Sequence, residues 1–132
     1  MKIKGLDDRE YTWSLVKHER GNCSSGHLRA RKLLKELYPF DIVYEEVTLP
    51  GSQIGKLGVL KADFYIHSRR LMIEVQGIQH EQYNSFFYPT KLDFIKAKSR
   101  DKNKKAWCET NEIELIILLD SQSDAEWKKI LK

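Results

Sequence analysis

The chain is poor in cysteine, with only Cys23 and Cys108 among 132 residues. Two thiols are too few for a disulfide scaffold or a cysteine-based zinc cage, so reduced thiols are expected. Long apolar runs are also missing. Nothing approaches the roughly 20 residues that cross a bilayer. The N-terminal MKIKGLDDRE lacks the apolar core of a signal peptide, which predicts a cytoplasmic chain with no membrane partner. No internal repeat, low-complexity tract or dividing linker is visible. The length suits one compact domain over 1–132.

What is present is an ordinary globular composition, 41% hydrophobic and 32% charged, with a net charge of +4 and a pI near 9.0. That balance permits nucleic acid as a partner without proving it. The charge is uneven. Residues 17–35 hold Lys17, Arg20, Arg29, Arg31, Lys32 and Lys35 against Glu19 alone. Residues 91–105 hold Lys91, Lys96, Lys98, Arg100, Lys102, Lys104 and Lys105 against Asp93 and Asp101. Such runs read either as solvated helix faces or as two basic walls for a phosphate backbone.

The local patterns give an element order α(α)βββαβα, an α/β (α+β) fold with a mixed sheet flanked by helices. Residues 6–20 predict a short helix with Leu6, Trp13, Leu15 and Val16 as its apolar positions, and Lys2 and Lys4 read as a charged terminus. GNCSSG is a loop, and Ser24 or Ser25 caps a helix over 26–37. Ala30, Leu34 and Leu37 form its apolar stripe, with Leu33 beside them and His27 at its head. Ile42–Leu49 is strand-like, and PGSQIGKLG is a Gly-rich connection. VLKADFYI and LMIEVQ, joined by HSRR, predict a hairpin. Residues 89–112 are helical in propensity. Ile113–Leu119 reads as a strand buried on both faces, and Asp124–Leu131 as a terminal helix.

The hairpin holds the most informative chemistry. With its turn at Ser68–Arg69, Asp63 lies opposite Glu74, Lys61 opposite Gln76 and Tyr65 opposite Met72. One face then carries Lys61, Asp63, Tyr65, Met72, Glu74 and Gln76. The other carries Ala62, Phe64, Ile66, Leu71, Ile73 and Val75 and packs on the core. Carboxylates facing each other across a sheet repel. Either they are solvated polar residues or a cation sits between them, and hard divalent cations prefer carboxylate and carbonyl oxygens.

The run KADFYIHSRRLMIEVQGIQH resembles the core of the PD-(D/E)XK nuclease superfamily, in which a strand Asp is followed on the next strand by Glu-x-Lys. With IEVQGIQH and SRDKNKKAWCETNEIELIIL, it is most similar to the branch of very-short-patch-repair endonucleases and phage homing endonucleases of the EDxHD type. The matching positions are Asp63, Glu74, Gly77, His80, Asp101, Lys104, Trp107–Cys108 and 113–118, within about 24–119. The resemblance implies a restriction-endonuclease-like fold and hydrolysis of DNA phosphodiesters with Mg²⁺ or Mn²⁺. It suggests a phage source, with the host cytoplasm as location. Asp63 would be the main metal ligand, Glu74 a second, and the Val75 carbonyl a third. His80 would handle a proton, oriented by an inward-pointing Asp101.

Two positions depart from the pattern. His27 stands where the family often has a helix Glu, and a histidine here resembles cap-snatching viral endonucleases of the same superfamily, whose helix His binds metal. There it would bind metal and favour Mn²⁺, and the helix dipole would keep it neutral. Gln76 stands where Lys is usual. It can still orient water, and Lys61 across the hairpin is the candidate for the missing ammonium.

Arg29, Arg31, Lys32, Lys56, Lys98, Arg100, Lys104 and Lys105 are the candidate phosphate contacts. Tyr83, Phe86, Phe87 and Tyr88 either stack on bases or form a small apolar cluster. The rival readings are a non-catalytic nucleic-acid-binding module, an RNA endonuclease and a protein–protein adaptor. Cys23 and Cys108 lack a nucleophile context. A target longer than one domain can read would require a homodimer or partner proteins.

Overall fold

The computed structural model describes residues 1–53, 58–77 and 90–131. The elements run β1 (Lys2–Lys4), β2 (Glu10–Thr12), α1 (Ser25–Leu37), β3 (Tyr44–Leu49), β4 (Leu60–Ile66), β5 (Leu71–Gln76), α2 (Lys91–Thr110), β6 (Glu114–Leu119) and α3 (Asp124–Leu131). The order is ββαβββαβα, an α+β arrangement. The main sheet has the order β3-β4-β5-β6, antiparallel except for the parallel β5–β6 pair. No helix among the described residues is long and apolar enough to cross a membrane.

Three local readings are corrected. The expected helix over 6–20 is instead the β1–β2 hairpin followed by residues 13–22 without regular structure. Gly5 and Asp8, the latter at φ 66°, make its turn, and the Tyr11 hydroxyl ties back to Asp7 at 2.6 Å. Lys4 is not a loose terminus, because the Asn111 side chain bonds both its N–H and its carbonyl. Finally, β6 is an edge strand in which only Leu118 is fully buried. Its run is apolar because both faces are partly covered: Leu115 packs in one apolar cluster, and Ile116 and Leu118 in the other.

Helix α1 begins where its capping serine predicts. The Ser24 hydroxyl accepts the His27 N–H at 3.2 Å, satisfying a first-turn donor that has no intrahelical partner. Ala30, Leu33 and Leu34 are buried against Phe64, Ile66, Ile73, Leu118 and Trp127. This apolar cluster lies between α1, α3 and one face of the sheet. The second cluster gathers Ile3, Trp13, Val47, Leu49, Leu60, Ala62, Tyr65, Met72, Trp107 and Cys108 under α2 and the N-terminal hairpin. Both sheet faces are therefore covered. The hairpin face expected to be polar buries Tyr65 and Met72 completely.

The hairpin register is the one the alternation predicts: Phe64 pairs with Ile73, Tyr65 with Met72 and Ile66 with Leu71. Its turn is longer than the two residues expected. A 3₁₀ turn over His67–Arg69 closes with Arg70 at φ 47°.

The alternation does not continue to the end of β4. Leu60 and Ala62 pack in the cluster under α2, whereas Phe64 and Ile66 pack under α1. The phase inverts at Asp63. It inverts in β3 too, where Tyr44, Val47 and Leu49 share one cluster. The ladder pairs Glu45 with Phe64 and Val47 with Ala62, so Glu46 falls opposite Asp63, at φ 49°. The left-handed conformation costs a non-glycine residue about 1–2 kcal/mol, so the kink is held by its surroundings. It places Ala62 on the opposite face from the one its spacing suggests and separates Lys61 from Gln76.

Candidate metal-binding and hydrolytic site

Beyond Phe64 and Ile73 no backbone pairing joins β4 and β5. The two carboxylates take its place. The Asp63 N–H donates to Glu74 Oε2 at 3.3 Å, and the Val75 N–H donates to Asp63 Oδ2 at 2.9 Å. Each acid thus serves the other strand's backbone, and repulsion across the pair is offset by donors on both sides. The opening lets helices from opposite sheet faces reach the same pair.

From the α1 face comes His27. Gly26 is the residue that allows it: a Cβ there would lie 3.1 Å from both Val75 Cγ1 and Asp120 Oδ1. With that close approach, the His27 ring stacks on Phe64 at 4.3 Å between centroids and is 2% exposed. Its Nε2 lies 2.7 Å from Glu45 Oε1. Glu45 also takes two bonds from Arg31, Nε to Oε2 at 2.8 Å and Nη2 to Oε1 at 2.7 Å, and the Arg20 N–H at 3.2 Å. Burial would raise the Glu45 pKa, but the Arg31 and His27 bonds outweigh it and hold the carboxyl down at about 2. An ionised carboxylate only accepts, so the hydrogen on His27 Nε2 points at Glu45 and the ring turns Nδ1 toward Asp63. That Nδ1 is buried with no hydrogen-bond partner, 3.9 Å from Asp63 Oδ1.

From the α2 face comes Lys104, 18% exposed, its Nζ 2.5 Å from Glu74 Oε1. The ammonium is the contact that Oε1 makes in this buried place. Burial pushes the Glu74 pKa up to about 8, against the pull of the Lys104 ammonium and with the push of the Asp63 charge. Arg20 adds a third cation, its Nη1 3.8 Å from Asp63 Oδ1 and its Nε 3.9 Å from Glu46 Oε2.

The expected residues divide clearly. His27, Asp63, Glu74 and Val75 converge, although it is the Val75 N–H that engages Asp63. Gln76 is half-buried at the end of β5. Asp101 lies half-buried on α2, one turn before Lys104. Lys61 is 58% exposed and pairs with Glu46 at 3.5 Å, away from Glu74. His80, Lys56 and the aromatics Tyr83, Phe86, Phe87 and Tyr88 lie outside the described residues.

The basic walls are unequal. On α1, Arg31 is consumed by Glu45. Arg29 bonds Asp124 and the Gln122 carbonyl and lies over the Trp127 ring at 3.7 Å. Lys32 points into a groove between α1 and α3. On α2, Lys98 and Lys105 are exposed, while Arg100 and Lys104 join Lys61 around an open cavity of about 370 Å³ beside the start of β4.

Glu45, Arg20 and the placement of Lys104 were not read from the sequence as parts of one site. The signal for Glu45 was present: two adjacent acids in a strand must put one inward. Cys108 is buried and its pKa is pushed up to about 12, which keeps it a thiol.

Among the described residues no three His, Cys, Asp or Glu side chains converge to hold a metal by themselves. His27 Nδ1 and Asp63 Oδ1 nevertheless fit the task as a pair. A ring nitrogen with no hydrogen-bond partner and a carboxylate oxygen face each other 3.9 Å apart, donors of the two kinds that a transition-metal dication takes. The second nitrogen is fixed by a carboxylate, as metal-ligating histidines are. Comparison with protein-family models, curated proteins and solved structures finds no match for the chain.

Proposed function

We propose that the protein is a divalent-metal-dependent phosphodiester hydrolase acting on DNA, an endonuclease of the restriction-endonuclease-like kind its hairpin resembles. The observation that carries this is the unpartnered His27 Nδ1 facing Asp63. A cation bound there supplies Lewis acidity to a phosphoryl group. His27 and Asp63 would hold it, and the mixed N/O ligation would favour Mn²⁺ over Mg²⁺. Lys104 sets an ammonium beside Glu74 from the helix, which supplies the positive charge that Gln76 does not. A fixed cation there stabilises charge that grows on a phosphate during displacement. Arg100 and Lys61 lead outward from it along the open cavity and suit backbone contacts that carry affinity rather than sequence choice.

The test is nicking of supercoiled plasmid in Mg²⁺, Mn²⁺ or EDTA by wild type, Asp63→Ala and His27→Glu, with single-stranded RNA as a parallel substrate. Cleavage that needs metal, is lost in Asp63→Ala and shifts toward Mg²⁺ in His27→Glu supports the proposal. Preferential cleavage of the RNA would reassign the substrate.

A second reading is a nucleic-acid-binding module without catalysis. Its support is Gln76, together with the two protein cations already placed at the carboxylates, Arg20 at Asp63 and Lys104 at Glu74. It predicts DNA binding that survives Asp63→Ala and no cleavage in either metal.

A further inference from the structure

Arg20 has no role in the metal-dependent reading, yet its Nη1 lies 3.8 Å from Asp63 Oδ1. Its backbone is pinned twice to the pair that orients His27. The Arg20 N–H donates to Glu45 Oε1 at 3.2 Å, and its carbonyl accepts from Arg31 Nη2 at 2.9 Å. Its side chain is held far less firmly. It is 39% exposed, and its contacts to Asp63 and Glu46, at 3.8 and 3.9 Å, both exceed hydrogen-bond length. Arg31, two bonds deep in Glu45 and 16% exposed, shows the contrast. A guanidinium anchored at its root and loose at its tip can change partners without moving the chain. It carries five donors in a fork that matches phosphate oxygens.

We propose that Arg20 is the exchangeable counter-cation of this site. It neutralises Asp63 in the metal-free chain. When a divalent cation takes Asp63, the Arg20 guanidinium turns to a non-bridging oxygen of the substrate phosphate. The inference rests on the metal-dependent reading above. Like charges cannot share one carboxylate oxygen cheaply, so Arg20 and the metal compete. The displaced guanidinium would then be free to bind a phosphate oxygen of the substrate.

The experiment is calorimetric titration of the full chain with Mn²⁺, without substrate, for wild type, Arg20→Ala, Arg20→Lys and Asp63→Ala. Duplex oligonucleotide affinity is measured alongside in Ca²⁺. Arg20→Ala should bind Mn²⁺ roughly threefold to tenfold more tightly, as expected for removal of a partly exposed competing charge. Arg20→Lys should stay within about twofold of wild type. Duplex affinity in Ca²⁺ should fall in Arg20→Ala. Unchanged or weaker Mn²⁺ binding by Arg20→Ala, or unchanged duplex affinity, overturns the role of Arg20 alone. Absence of Asp63-dependent Mn²⁺ binding in wild type overturns the metal reading, and this inference with it.

Discussion

His27 Nε2 and Glu45 Oε1 lie 2.7 Å apart in the interior, and that single bond decides which ring nitrogen His27 turns toward Asp63. Glu45 is itself fixed by both arms of Arg31. The order of control runs from Arg31 to Glu45 to His27 to Asp63, across α1, β3 and β4. A ring whose orientation is set this far back is sensitive to changes at residues that never touch Asp63.

Glu45→Gln tests that sensitivity. An amide can present a donor to Nε2 and so release the opposite tautomer. Mn²⁺ affinity should fall by about 10- to 100-fold, the usual scale for losing the group that orients a ligating histidine. Arg31 would be left without its counter-charge in a mostly buried place, which costs about 3–5 kcal/mol. Calorimetry and urea unfolding read the two effects separately. Undiminished Mn²⁺ binding in the folded variant would break the chain of control at its second link.

The two buried acids push stability in opposite directions with pH. Glu45 has a folded pKa of about 2, below its ordinary 4.5. Its contribution is present above the ordinary value and is lost as pH falls through about 2. Glu74 has a folded pKa of about 8, above the same ordinary value. The unfolded chain releases that proton first, so stability is lost as pH rises from about 4.5 toward 8. In EDTA the melting temperature should therefore decline from about pH 5 to pH 8. Glu74→Gln should flatten this limb and be the more stable protein at its upper end. Parallel melting curves for the two proteins across that range would show that Glu74 is ionised throughout.

Much of this was legible because it is local. Ser24 announces the start of α1, and alternation sets the β4–β5 register that brings Asp63 to Glu74. The kink at Glu46 and Asp63 was not legible. It obeys no period and uses a left-handed glutamate, so the sequence pattern assigned Ala62 to the wrong face. The N-terminal hairpin was hidden for a related reason. Its strands are three residues each, too short for any alternation to show, and Trp13 and Val16 beyond them are at helical spacing. Arg29 and Arg31 looked like part of a basic wall because a sequence shows charge but not its partners, and Asp124 lies 95 positions from Arg29.

Arg29 should therefore behave as a structural strut. Its guanidinium joins α1 to Asp124, the Gln122 carbonyl and the face of Trp127. Arg29→Ala should cost about 1–2 kcal/mol of stability, from a cation–π contact and charge-assisted hydrogen bonds. It should leave duplex affinity unchanged. Arg100→Glu on α2 should do the reverse, weakening binding and reducing its salt dependence while leaving unfolding nearly untouched. Equal losses of affinity from both would restore α1 as a nucleic-acid wall.

Lys104 and Lys61 offer the sharpest separation, since both are candidates for the ammonium that Gln76 lacks. Lys104 meets Glu74 at 2.5 Å on the inner side of α2, whereas Lys61 is mostly exposed and paired with Glu46 at 3.5 Å. An ammonium stabilises a transition state only where the charge develops, and only if it is already in place. Lys104→Met should lower kcat by about 100-fold or more, with duplex affinity in Ca²⁺ falling no more than a phosphate contact explains. Lys61→Ala should stay within a few-fold of wild type in kcat. Its loss should appear in KM, because it lines the approach to the site rather than the site. If Lys61→Ala lost turnover while Lys104→Met kept it, the ammonium would belong to the strand after all, and the ion pair between Lys104 and Glu74 would be a structural contact that holds α2 against the open edge of the hairpin.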